Sequence, residues 1–301
     1  MFPRIVSRKG EGVMSTAFKA VLVLVAVLTL SVFLTPFVYA VLPVFKFEKI
    51  FNRLVMAFAV AGAAWLVRIR KESLKTCGFD FRQPWRQLVA YGFFLGALTV
   101  LVVTVIEVIF GPRYVREPII AADVIQRFVK GMLSGVAVGI VEEFFFRGFV
   151  FVQLERILKT WMATLVASAF YSVTHFLDNG QVFIPPNPGI GDAFRLLFGY
   201  LEPMTFHTRE ILPELIGLFL FGVLLNIAFI KARSLFLAIG IHAGAVFAIK
   251  WQNAILRKGP DIYHAFFGGT PHYDGVFEWA ILVLVGCLIW WFVRRPSSLS
   301  S

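Results

Sequence analysis

Cysteine is nearly absent from this chain. Cys77 and Cys287 are the only two in 301 residues, far apart and without metal-ligand spacing. They support neither a disulfide framework nor a zinc–thiolate site. Acidic residues are also scarce, 18 Asp and Glu against 29 Lys and Arg, which leaves a net charge of +11. A basic balance of that size can serve nucleic acid, but no compact basic domain is available to bind it, so no nucleic-acid partner is expected. The surplus reads instead as cytoplasmic anchoring charge. The chain also lacks a long-period repeat, a low-complexity tract, a heptad pattern and any polar stretch long enough for a separate soluble domain.

What remains is apolar. The sequence is 58% hydrophobic and holds 34 phenylalanines, a composition foreign to soluble domains and ordinary for a polytopic membrane protein. An all-α bundle of about eight transmembrane helices is expected, at roughly 20–42, 54–67, 88–110, 131–152, 161–177, 212–230, 234–250 and 277–293. Residues 1–19 form a basic tail, 20–295 a single helical domain with its core at 130–250, and 296–301 a tail expected to be disordered. On that count, Lys and Arg are about twice as dense in 1–19, 68–87, 152–160, 231–233 and 294–301 as in the alternate segments, which predicts cytoplasmic N- and C-termini. The long segment 178–211 contains Pro185-Pro186-Asn187-Pro188-Gly189, which blocks regular structure. A short aromatic-rich stretch from Asp192 to Leu201 follows and suits the membrane interface.

One apolar run stands out. Residues 131–151 carry two adjacent carboxylates, Glu142 and Glu143, with Arg147 one turn further on. Ionisable side chains inside a span cost about 2.5–3.5 kcal/mol each on insertion scales, so they are expected to be functional or paired. Gly131, Gly135, Gly139, Glu143 and Arg147 recur every four residues along one helical stripe. The glycines invite a neighbouring helix to close approach. Glu143 and Arg147 are spaced for an i,i+4 ion pair. Glu142 lies about 100° away around the helix and has no such local partner.

Two histidines belong with this stretch. His175 follows Tyr171 by four residues, on one face of the fifth helix. His242 is flanked by Gly240 and Gly244, a second small-residue pair. Measured from Lys159 in the connecting turn, Glu142 and His175 fall at similar heights of roughly 24–26 Å, so they can meet across the hairpin. His242 lies only about 14 Å above its own turn. The polar residues Gln153, Glu155, Arg156 and Lys159 suggest that the first hairpin projects about two turns further, which removes most of the mismatch. His207, His264 and His272 fall in loops and read as solvated.

Glu142-Glu143-Phe-Phe-Phe-Arg147-Gly148 resembles the EExxxR motif of the CAAX-protease and bacteriocin-processing (CPBP) family of intramembrane endopeptidases. Tyr171-x-x-x-His175 is similar to its FxxxH motif with Tyr for Phe, and His242 to the start of its HxxxN motif. The resemblance covers about 130–250. It departs at Val246, which stands where the family has asparagine and cannot donate a hydrogen bond.

The resemblance implies peptide-bond hydrolysis within the membrane. Glu142 and His175 would hold and activate water, His242 would donate to the oxyanion, and Glu143 and Arg147 would brace the helix. Asn226 on the preceding helix is one conceivable stand-in for the missing asparagine. The implied substrate is a membrane-associated protein or peptide, prenylated or not, met within the lipid bilayer.

A metal-independent, glutamic-type mechanism without cofactor is favoured. The alternative is zinc held by Glu142, His175 and His242, since one Glu with two His is a known catalytic set, although no HExxH pair occurs. Two other classes stay open. One is a catalytically silent immunity or scaffold protein, which Val246 permits; the other is a proton-coupled transporter, which lacks an evident inverted repeat.

Overall fold

The computed structural model describes residues 12–176, 182–200, 208–259, 264–269 and 273–293; side chains are described for all of these except 12–21, 208–210 and 264. The chain is all-α and polytopic. Among the described residues its helices are α1 (Gly12–Val41), α2 (Phe47–Ile69), α3 (Trp85–Phe110), α4 (Ala121–Glu143), a π-helical segment (Phe144–Phe151), α5 (Val152–Glu155), α6 (Thr160–His175), α7 (Ile190–Gly199), α8 (Thr208–Ala232), α9 (Leu235–Gln252), α10 (His264–Phe267) and α11 (Val276–Phe292). Helices stand at all eight positions expected for spans. Five of them, α1, α2, α3, α8 and α9, are long and apolar enough to cross a bilayer, and α11 is a shorter apolar helix. α6 is only 16 residues long. α4 begins ten residues before the expected boundary, and its first turns carry Asp123, Arg127 and Lys130.

A short antiparallel pair, β1 (Arg113–Val115) with β2 (Leu256–Lys258), was not expected. Three-residue strands give too little alternation to read in a sequence. The expected tail 296–301 lies outside the described residues, as do His207 and His272. His264 opens α10, and its side chain is not described.

The chain packs as two compact units, residues 1–71 with 174–208, and residues 72–173 with 209–301. In the first, α7 lays Ala193, Leu196 and Tyr200 against Val32 of α1 and Phe47 and Phe51 of α2. The Tyr200 hydroxyl donates to Asn52 Oδ1 at 2.8 Å, satisfying a half-buried polar pair. The aromatic-rich segment is thus a helix that buries Ala193, Leu196 and Tyr200 and leaves Phe194 and Phe198 exposed.

In the second unit, α9 is the central rod, apolar around most of its circumference and buried along nearly its whole length. Two glycine rows account for its position. A Cβ at Gly135 would come within 2.5 Å of the Ala243 carbonyl oxygen, and one at Gly139 within 3.0 Å of the Ile239 carbonyl. On the opposite side, a Cβ at Gly96 would meet the Ile241 carbonyl at 2.1 Å, and one at Gly244 the Phe93 carbonyl at 2.0 Å. α4 and α3 therefore rest on α9 backbone to backbone, as the small-residue stripes predict. α8 and α11 complete the core through Leu224, Leu225, Ala228, Val285 and Ile289. Leu98, Leu101 and Ile109 of α3 and Leu133 of α4 remain exposed, as side chains meeting lipid would be.

Candidate active site

The paired carboxylates end α4, and the backbone changes pitch immediately after them. Residues Phe144–Phe151 are π-helical, an insertion that often accompanies functional sites. The widened turn buries Phe146, Arg147, Gly148 and Phe151 together. Gly148 lets the Cys77 carbonyl approach, where a Cβ would sit 2.8 Å away. The site thus sits where one long helix is locally rewound.

Glu143 and Arg147 form the ion pair that their spacing predicts, Nη1 to Oε1 at 2.9 Å, with both side chains almost fully buried. Arg147 is held on two further sides. Its Nη2 donates to the Gly222 carbonyl at 3.3 Å, and its guanidinium lies 4.6 Å from the centre of the Tyr171 ring. This cation–π contact is strongest where water is excluded.

His242 is the residue that the sequence placed least securely, and the structure brings it onto the pair. Its Nδ1 lies 2.7 Å from Glu143 Oε1, the same oxygen that Arg147 binds. Sequence reasoning gave Glu143 to Arg147 alone. The second bond crosses between helices 99 residues apart and has no local signature. An ionised carboxylate only accepts, so Nδ1 carries the proton and Nε2 is left facing outward. Nε2 points at Glu142 Oε2, 3.9 Å away, with Glu142 half-buried. Phe221 and Tyr171 meet the imidazole edge-on at 5.5 and 6.3 Å.

His175 is the last residue of α6, and its side chain is exposed. It groups with residues 174–208 in the first unit, whereas Glu142, Glu143, Arg147, Tyr171 and His242 all belong to the second. Val246 lies one turn beyond His242 and is half-buried. Asn226 does not stand in for the missing asparagine. Its Nδ2 donates to Ser168 Oγ at 3.0 Å, and it sits one turn past Gly222 toward the α8–α9 turn, opposite in direction to Val246. Among the described residues, no group of three or more His, Cys, Asp or Glu is arranged to hold a metal ion.

The arrangement can do specific chemistry. A single water, donating one hydrogen to each, fits between Glu142 and His242 Nε2, because 3.9 Å is too long for a direct hydrogen bond and short enough for a shared partner. Cysteine chemistry does not compete. Burial, and then the Glu72 carboxylate, push the Cys77 thiol up to about 11 against the opposing pull of Arg156. At pH 7 it is a neutral thiol, so alkylating reagent applied to the folded protein should leave Cys77 unmodified by mass spectrometry. Rapid labelling of Cys77 would contradict this environment.

No curated protein and no solved structure matches the chain. Residues 124–248, the stretch that carries Glu142, Glu143, Arg147, Tyr171, His175 and His242, match the family model of type II CAAX prenyl endopeptidase, Rce1-like, in agreement with the resemblance to the CPBP family.

Proposed function

We propose that the protein is an intramembrane endopeptidase that hydrolyses a peptide bond in a membrane-associated substrate through water activated by Glu142. The observation that carries this reading is the facing pair Glu142 Oε2 and His242 Nε2, with Glu143 fixed behind the imidazole. A carboxylate behind Nδ1 holds one tautomer and stabilises the imidazolium, as the acid behind a catalytic histidine does. In its imidazolium form His242 offers Nε2–H to the oxyanion, while Glu142 takes the proton of the attacking water. Glu143 and Arg147 keep that geometry rigid. By the resemblance, His175 is the second group holding the water.

The matched family points to CAAX-type processing, with the scissile bond next to a prenylated cysteine. We assign the mechanism to the metal-independent, glutamic type. Val246 favours one other reading, a folded relative that has lost activity.

The test uses full-length protein in liposomes with a farnesylated peptide ending in a CAAX sequence and an unprenylated, membrane-anchored control. Cleavage in 18O-labelled water should place one label in the new carboxylate and persist in excess chelator. Activity lost in chelator and restored by zinc would make the mechanism metal-dependent, since a catalytic zinc supplies the hydroxide. A folded protein that cleaves neither peptide would favour the inactive relative.

A further inference from the structure

Val246 leaves the oxyanion one donor short, and the packing of α8 against α9 shows what stands at its level. The two helices form an antiparallel hairpin through the turn at Arg233 and Ser234. Phe221 of α8 meets His242 of α9 with ring centres 5.5 Å apart, so these two residues share a height. One turn away from the hairpin turn, α9 presents Val246 and α8 presents Gly217. Gly217 is where another segment comes in. A Cβ there would lie 1.5 Å from the carbonyl oxygen of Tyr273 and 3.0 Å from the Tyr273 Cβ. Tyr273 therefore reaches the level of Val246, one turn above the His242–Phe221 contact.

Its position is fixed by backbone contacts. The Tyr273 carbonyl accepts the indole N–H of Trp279 at 3.0 Å. Asp274 Oδ2 accepts the Gly269 N–H at 2.8 Å, which ties Asp274 to Gly269, and Gly268 has a left-handed φ of 70° that glycine adopts freely. Tyr273 lies near enough to Tyr171 for the two phenols to repel if both were ionised, and Tyr171 packs on the His242 ring and on Arg147. Among the described residues the Tyr273 hydroxyl has no hydrogen-bond partner, whereas the Tyr273 backbone is anchored. Burial, then Glu214 and Asp274, push the phenol up to about 12, so it keeps its proton throughout the neutral range.

We propose that Tyr273, held at the Val246 level by its backbone contacts with Gly217 and Trp279, is a catalytic residue whose phenol O–H donates to the developing oxyanion in place of the asparagine that Val246 replaces. This rests on the hydrolase reading above. The role asks for a donor on a rigid support, and the anchored Tyr273 backbone supplies that support. The phenol needs only to donate a hydrogen bond; no proton changes owner.

The test compares wild type, Tyr273→Phe, Val246→Asn and the double variant on the farnesylated CAAX peptide in liposomes, with unfolding midpoints measured in detergent. Tyr273→Phe should lower kcat by about 10²–10³-fold with KM nearly unchanged and the midpoint unmoved. Adding Val246→Asn to Tyr273→Phe should recover most of that loss, because the asparagine amide supplies the same donor from the neighbouring helix. An unchanged kcat in Tyr273→Phe would overturn the proposal. So would a folded double variant no faster than Tyr273→Phe, which would make the phenol's effect one of loop structure. Glu142→Gln separates this from the larger reading: full activity in that variant sinks the hydrolase mechanism itself, whereas an inactive Glu142→Gln beside a fully active Tyr273→Phe sinks only the role of Tyr273.

Discussion

Glutamine at position 142 should reduce cleavage of the farnesylated peptide by at least about 10²–10⁴-fold and leave the protein folded. That range is the usual worth of positioned proton transfer, and loss of the water's alignment adds to it. The substitution changes little else. Glutamine has the shape of glutamate, Glu142 is half-buried rather than enclosed, and the Glu143–Arg147 pair does not include it. Initial rates beside an unfolding midpoint in the same detergent check both halves. A folded Glu142→Gln protein cleaving at the wild-type rate would remove Glu142 as the base.

Arg147→Ala should do the opposite, destabilising the fold before any question of chemistry arises. Glu143 has no exposed surface and Arg147 only 1%, so alanine would leave a buried carboxylate without its cation, with only the His242 ring N–H still bonded to it. Breaking one side of a buried pair costs about 3–5 kcal/mol. The Gly222 carbonyl loses its donor as well, and the Tyr171 ring loses the cation over its face. The expected result is a marked fall in monodisperse yield and in the detergent unfolding midpoint. Glu142→Gln, measured alongside, should show neither. Equal midpoints for wild type and Arg147→Ala would contradict a structural role for the pair.

These two adjacent glutamates illustrate how much was legible beforehand. The stripe Gly131, Gly135, Gly139, Glu143, Arg147 is a local, four-residue pattern, so the close helix approach and the ion pair follow from spacing alone. The other row, Gly240 and Gly244 beside His242, likewise announced a close approach, found against Phe93 of α3. What spacing cannot carry is a bond across distant segments. The sharing of Glu143 Oε1 between Arg147 and His242 joins residues 99 apart, and the hold of Gly222 on Arg147 uses a backbone carbonyl that any residue could supply. The π-helical rewinding after Glu143 also escaped, because Phe144-Phe145-Phe146 fits an ordinary helix equally well. Asn226 looked available in the sequence only because Ser168, its partner on α6, leaves no trace at a distance of 58 residues.

The burial of α9 between α3 and α4 bears on when the site comes into being. During synthesis, α3 and α4 are made long before α9, and until α9 is inserted their glycine faces have no carbonyls to rest on. His242 arrives with that insertion, and Glu143 acquires its imidazole only then. A chain still being translated therefore holds Glu143 without its imidazole partner. On the proposed hydrolase reading, late arrival of the central rod means that no peptide bond can be cut until the bundle has closed.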